Sequence, residues 1–81
     1  MLPFDVDTVR IDVSKHFRNT RMRKWDSDHV DLREALREAE RATKSGKGKW
    51  DVFVRKKGGK KLILVYEAES HEVFVITGAE G

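Results

Sequence analysis

Several residue types that carry chemistry or fix special structures are absent or rare in this chain. Its 81 residues include no cysteine and no glutamine, one proline and one asparagine, Asn19. Without cysteine, disulfide bonds and thiolate chemistry are excluded. The longest apolar run, Leu62 to Tyr66, is far shorter than the ~20 residues of a membrane-spanning helix, and no basic-then-apolar signal opens the sequence. We therefore expect a cytoplasmic protein with no membrane partner.

Charged residues, in contrast, are abundant in this chain. Charged residues make up 38% of the chain and hydrophobic residues another 38%, against about 25% charged in an average domain. High charge with few thermolabile side chains is typical of heat-adapted proteins, so the composition predicts a thermophilic source. The length is that of one small domain, and we expect a single domain over 1–81.

The net charge of +3 conceals a block pattern. Residues 10–24 hold six basic side chains against one acidic, and residues 44–61 hold eight against one. The blocks between and around them are acidic. Concentrated lysine and arginine favour binding to a polyanion, with an affinity that falls as salt rises. The alternative is a solvated surface of mixed charge.

The periodicity predicts one strand and two helices in the first half of the chain. Alternating apolar residues indicate a half-buried strand over 6–13. Ser14 is a candidate cap for a short helix over 15–24, although Phe17 and Met22 stand at poor helical spacing. A capping box at Asp31 begins a second, amphipathic helix that ends near Lys44. Its apolar stripe consists of Leu32, Ala35, Leu36, Ala39 and Ala42.

Everything after Gly48 reads as a meander of three strands. These strands start near Trp50, at Lys61 and at Val73, and the adjacent Gly58 and Gly59 favour a tight hairpin between the first two. The predicted fold is therefore α+β, in the order β-α-α-β-β-β, with an antiparallel sheet and helices packed on one face.

Motifs for metals and nucleotides are missing. His16, His29 and His71 have no ligand spacing and no cysteine to join them, so we expect no metal site. The stretch around Gly46 and Gly48 lacks the remainder of either nucleotide fingerprint, so we expect no nucleotide cofactor. The basic stripe of the second predicted helix, Arg33, Arg37 and Arg41, is interpreted as a solvated face because glutamates stand at pairing distance.

The strongest polar feature is the basic hairpin, which carries five cations around two glycines. Arg55 would share a strand face with Phe53, and an aromatic beside cations suits single-stranded RNA, with bases stacked and phosphates neutralised. The alternative is an edge hairpin kept soluble by its lysines. The cations of the hairpin are Arg55, Lys56, Lys57, Lys60 and Lys61.

The same stretch carries a family resemblance. A strand ending in Arg (Val52 to Arg55), a glycine turn, a strand from Lys61 through Tyr66 to Glu67, and a closing strand from Val73 to Thr77 follow one another. In this order the chain resembles the RelE/ParE superfamily of small toxins. The segment from His16 to Arg21-Met22 is also similar to a related family of uncharacterised small domains, whose usual spacing is one residue shorter.

The resemblance implies a site as well as a fold. RelE-like nucleases cleave mRNA, often on the ribosome, by attack of a 2′-hydroxyl on the adjacent phosphate while basic side chains stabilise the developing charge. Arg55 and Lys61 match the two basic positions beside the hairpin, and Tyr66 matches a frequent strand tyrosine. Active relatives also use a His, Arg or Tyr after the last strand. This sequence reads Gly78-Ala79-Glu80-Gly81 there, so any ribonuclease activity is expected to be weak or lost.

Three alternatives follow from the sequence. The first is a RelE/ParE-like protein that binds RNA or ribosomes, with Arg55, Lys61 and Tyr66 as catalytic candidates and Arg21 and Arg23 as further phosphate contacts beside the hairpin. His16 and His71 are the other proton-transfer candidates. The second is a non-enzymatic module whose basic hairpin docks on an acidic protein such as an antitoxin. The third is an orphan domain without a ligand.

Overall fold

The computed structural model describes residues 2–24, 28–55 and 59–80, without the side chains of Arg21 and Glu80. These residues form five strands and three helical segments. In chain order they are β1 (Arg10–Val13), α1 (Lys15–Phe17), a π-helical turn (Arg18–Met22), α2 (His29–Arg37), β2 (Ala39–Gly46), β3 (Lys49–Val54), β4 (Lys60–Glu67) and β5 (Glu72–Glu80). The domain is therefore α+β, as predicted, with one strand more than the predicted order.

The sheet is mixed rather than antiparallel. Its strand order is β1-β5-β4-β3-β2, with β1 parallel to β5 and every other pair antiparallel. The prediction of a fully antiparallel sheet is wrong because β1 pairs with the last strand of the chain and not with a sequence neighbour. The helical segments carry the chain from one edge of the sheet to the other, and three successive hairpins then return it to β1.

The predicted second helix is too long, and its second half is strand β2. Helix α2 ends at Arg37, and Ala39 and Ala42 pair with Val54 and Val52. A register shift inserts one residue at Glu40, and such a bulge lets two residues three apart face the same side of a sheet. The spacing of Ala39 and Ala42, which indicated a helix, is therefore that of a bulged strand.

The first turns of α1 and α2 are each capped by a nearby side chain. The side chain of Ser14 accepts a hydrogen bond from the Phe17 amide at 3.0 Å, which confirms the predicted cap. The capping box of α2 lies three residues earlier than predicted: Asp28 accepts from the Asp31 amide at 3.0 Å, and Asp31 accepts from the Asp28 amide at 3.2 Å. Trp25, which directly follows the predicted first helix, lies outside the described residues.

The π-helical turn explains the poor helical spacing of Phe17 and Met22. A π-helix bonds residue i to residue i+5, so residues five apart stack on one side. Both side chains are buried, Phe17 completely and Met22 to 7% exposure. The segment 15–24 is therefore helical as predicted, but its middle part is π-helical and not α-helical.

The hydrophobic core lies on one face of the sheet, which we term the core face. Alternation along the strands sends every second side chain there, and Phe17 of α1 with Leu32 and Leu36 of α2 belong to the same cluster. The strand residues of this core are Ile11, Val13, Val52, Val54, Leu62, Leu64, Val73 and Val75.

The opposite side of the sheet, which we term the open face, carries the intervening residues. Phe53, Ile63 and Val65 are partly exposed there, and Phe74 is 45% exposed. No described helix contributes a buried side chain to this face. The open face therefore lacks the cover of helices that the core face has.

Candidate nucleic-acid interface

The basic hairpin joins β3 and β4 as predicted. Phe53 pairs with Lys61 and Val54 with Lys60 in an antiparallel register. The Gly59 amide donates to the Arg55 carbonyl at 3.1 Å, and Gly59 has a φ of 90°, which is accessible to glycine at little cost. Lys56 and Lys57, two of the five predicted phosphate contacts, lie outside the described residues, as does Gly58.

Both predicted catalytic cations are engaged by carboxylates. Arg55, whose side chain is 83% exposed, forms an ion pair with Glu40. Lys61, whose side chain is 34% exposed, places Nζ 3.5 Å from Asp51. Solvent-exposed ion pairs are worth about 0–1 kcal/mol, so a phosphate group can displace Glu40 from Arg55, while the pair of Lys61 and Asp51 is partly buried.

Phe53 provides an aromatic platform on the open face. The guanidinium carbon of Arg41 lies 4.4 Å from the centre of the Phe53 ring, and Lys61 Nζ lies 5.7 Å from it. Both distances fall within the range of cation–π attraction. We term the group formed by Arg41, Phe53, Arg55 and Lys61 the hairpin corner.

Arg41 is the residue of the hairpin corner for which the sequence predicted a different environment. It was interpreted as part of a solvated helical stripe, because the second helix was predicted to extend to about Lys44. In strand β2, Arg41 pairs directly with Phe53, and its side chain lies on the open face. A prediction that had placed a bulge at Glu40 would have brought the two residues together.

Tyr66 lies far from the two cations with which it was grouped. It is five residues from Lys61 along β4, about 16 Å at the usual rise of a strand. Its ring faces the core side, 5.1 Å from the ring of Phe4, while Lys61 is on the open face. The structure therefore brings Arg55 and Lys61 to one end of the domain and does not add Tyr66 to them.

Tyr66 instead contacts another predicted proton-transfer candidate. Its hydroxyl lies 3.3 Å from His71 Nδ1, and His71 Nε2 lies 2.9 Å from Thr8 Oγ1. His71 has a φ of 53°, the one positive value among non-glycine residues of the described chain. We term Thr8, Tyr66 and His71 the turn cluster. It links the segment before β1 to the turn between β4 and β5.

The remaining candidates lie apart from both groups. His16 is exposed in α1, and Arg23 is exposed just after the π-helical turn, whose Met22 is buried in the core. The backbone of Arg21 belongs to that turn, but its side chain lies outside the description. Because these helical segments contact β5 through the core, His16 and Arg23 lie apart from the open face.

Two other kinds of feature are absent from the described residues. No group of three or more His, Asp or Glu side chains in the described part of the chain is arranged to hold a metal ion. Among these residues, no helix has the length and apolar character needed to cross a membrane.

Comparisons with protein-family models, curated proteins and solved structures find no match to this chain. Function is therefore inferred from the hairpin corner and the turn cluster themselves.

Proposed function

We propose that this protein binds single-stranded RNA at the hairpin corner. The observation that carries the proposal is the position of the Arg41 guanidinium over the ring of Phe53, 4.4 Å from its centre, with Lys61 Nζ 5.7 Å from the same ring centre. A guanidinium plane held against an aromatic ring is a preformed surface on which a base can stack. Lysine and arginine around it supply the positive field that draws in the phosphates.

Binding proceeds by exchange of partners at the corner. The carboxylates of Glu40 and Asp51, which pair with Arg55 and Lys61 in the free protein, give way to phosphate oxygens. Arginine can hold a phosphate by two parallel hydrogen bonds, whereas lysine contributes a mobile point charge. Stacking of one base contributes roughly 1–3 kcal/mol and tolerates any sequence, so we expect little base preference.

The relation to the RelE/ParE superfamily is part of this proposal. Its support is the hairpin, in which Arg55 directly follows strand β3 and Lys61 is the second residue of β4. Cleavage of mRNA by Arg55 and Lys61 remains a prediction of that resemblance. RNA binding as proposed needs no cleavage, and the ribosome is one source of accessible RNA.

The test is fluorescence anisotropy with a labelled single-stranded RNA of mixed sequence, measured between roughly 50 and 200 mM salt. The double variant Arg41→Ala, Lys61→Ala should weaken binding at least tenfold and flatten the salt dependence. The matched control, Lys15→Ala with Arg18→Ala, removes two exposed cations from the other side of the sheet and should retain most of the affinity.

Two results would contradict the proposal. Wild-type protein that fails to bind this RNA at low salt would overturn it, and so would equal losses in the two double variants. An acidic protein partner, the second hypothesis, predicts a different pattern: a polyglutamate peptide would bind at the corner, and Phe53→Leu would leave its affinity unchanged because no base is stacked.

Incubation of the same RNA with the wild-type protein, followed by gel electrophoresis, tests the nuclease prediction separately. Cleavage products that disappear in Arg55→Ala would support it. Intact RNA, with translated mRNA also intact, would leave a binding protein.

A further inference from the structure

Along the open face, the order of charged and apolar side chains is complementary to the same order read in the opposite strand direction. Strand β4 is central in the sheet, and its residues on this face are, in order, Lys61, Ile63, Val65 and Glu67. The pattern is therefore positive, apolar, apolar, negative. A second copy of the strand, laid antiparallel across it, would set each cation opposite an anion and each apolar side chain opposite another.

The neighbouring strands continue the same match. On β3, Asp51 pairs with Ile63 and Lys49 pairs with Val65, so reversal places an anion opposite a cation there too. On β5, the 45% exposed ring of Phe74 pairs with Val65, and Thr77 pairs with Ile63. Reversal therefore brings Phe74 onto a short β-branched side chain instead of a charge.

From this register we propose that the open face binds a second copy of this chain, as a two-fold symmetric dimer. The two-fold axis lies between the two sheets and parallel to them. It is perpendicular to the strands and passes over β4 between Ile63 and Val65. Ile63 of each copy then packs on Val65 of the other, Lys61 meets Glu67, and Asp51 meets Lys49. Sheets packed face to face in this way lie about 10 Å apart, a distance that these side chains fill.

The charges favour this arrangement over one with the strands parallel. If the axis ran along β4, Lys61 would face Lys61 and Glu67 would face Glu67, and like charges brought together cost several kcal/mol. A contact between identical patches must be self-complementary, and the reversed arrangement satisfies that condition on β4 and β3 together.

The area of the open face limits the affinity that we expect for the dimer. Five strands and the four outward rows of β4 cover roughly 20 Å by 20 Å, so two copies would bury roughly 800 Å² in all. This is below the roughly 1,200–2,000 Å² of stable specific interfaces, so we expect a weak dimer that dissociates on dilution. Arg41 and Lys61 lie in the same row of the open face, so the dimer covers part of the hairpin corner, but the inference is drawn from the register of β3 and β4 and does not rest on RNA binding.

The test is a charge exchange measured by sedimentation velocity over a wide range of protein concentration. Wild-type protein should shift from monomer to dimer as its concentration rises. Lys61→Glu and Glu67→Lys should each weaken the self-association at least tenfold, because like charges then face each other. An equimolar mixture of the two variants should associate again, since each cation meets an anion in the mixed pair.

A second pair of variants removes the dependence on charge. Val65→Thr keeps the shape of the side chain but places a hydroxyl at the centre of the proposed contact, and should weaken dimerisation. Val30→Thr makes the same change at a 66% exposed position on α2 and should not. Circular dichroism melts verify that each variant is folded.

Three results would overturn the dimer. They are a wild-type protein that stays monomeric at high concentration, a mixture of the charge variants that stays monomeric, or a dimer that both Val65→Thr and the single charge variants leave unchanged. The last result would place self-association on another surface. RNA binding measured with Glu67→Lys distinguishes the two proposals, because this residue is at the far end of β4 from the hairpin corner.

Discussion

Strand β4 connects two groups of polar side chains that differ in their surroundings. At its first end, the hairpin corner holds two exposed arginines and a half-buried lysine around a ring on the open face. At its last end lies the turn cluster, in which His71 contacts both Thr8 and Tyr66, and the ring of Tyr66 packs on Phe4. A group whose polar atoms are satisfied within the chain holds structure together, whereas exposed ion pairs can change partners.

This difference separates residues that look catalytic from residues that are available to a ligand. Histidine and tyrosine in contact have the form of an acid–base pair, yet here they link the segment before β1 to the turn after β4. Arg41 looked like a surface residue of a helix, yet it completes the aromatic platform. Each prediction below affects one end of β4 and spares the other.

The largest expected effect is on stability, at the turn end. Phe4→Ala should lower the free energy of unfolding by about 3 kcal/mol, because the ring is 9% exposed and packs on Tyr66. Urea denaturation measures the loss. RNA affinity of the folded protein should not change, and a parallel loss of affinity would mean that the two ends are coupled.

The next effect concerns His71. His71→Ala should lower the free energy of unfolding by about 1–2 kcal/mol, since it removes two side-chain contacts and leaves a β-carbon at a φ of 53°. His71→Gly loses the same contacts but relieves the backbone strain, so it should be the more stable variant in thermal melts. If alanine were the more stable of the two, the positive φ would carry no strain.

At the hairpin end, Phe53→Leu should weaken RNA binding about fivefold, since stacking contributes roughly 1–3 kcal/mol per base and leucine retains part of the contact area. Anisotropy titration measures the change. The slope of affinity against salt should stay constant because no charge is removed. A changed slope would show that the ring mainly positions Arg41 and Lys61.

The smallest effect is expected at Arg55. Arg55→Ala should weaken RNA binding about twofold at most, because Glu40 already neutralises this exposed side chain. Glu40→Ala should strengthen binding by a similar factor, since it frees the guanidinium and removes a negative charge. Titration of both single variants and the double variant measures the coupling, and a tenfold loss for Arg55→Ala would make Arg55 the principal phosphate contact.

The elements that follow local rules could be predicted from the sequence. Alternation from Trp50 to Thr77 identifies three strands, and Gly59 marks the hairpin at its actual position. Ser14 caps the first helical turn as its side-chain chemistry requires. In each case the deciding interaction joins residues that are close in the sequence.

The remaining elements depend on pairings that no local pattern contains. Because of the bulge at Glu40, Ala39 and Ala42 of β2 face the core although they are three residues apart. A spacing of three between apolar residues is also typical of an amphipathic helix. The parallel pairing of β1 with β5 joins residues more than sixty positions apart. Because the hairpin corner needs Arg41 on β2, the aromatic platform could not be found before that strand was known.

The bulge at Glu40 also affects how the sheet ends. Strand β2 is an outer strand of eight residues, and a flat outer strand offers unpaired backbone groups to neighbouring molecules. Irregular register between Ala39 and Arg41, and again between Lys44 and Gly46, breaks that row of groups at both ends. Removal of Glu40 would straighten the strand, and the resulting protein should aggregate through this edge.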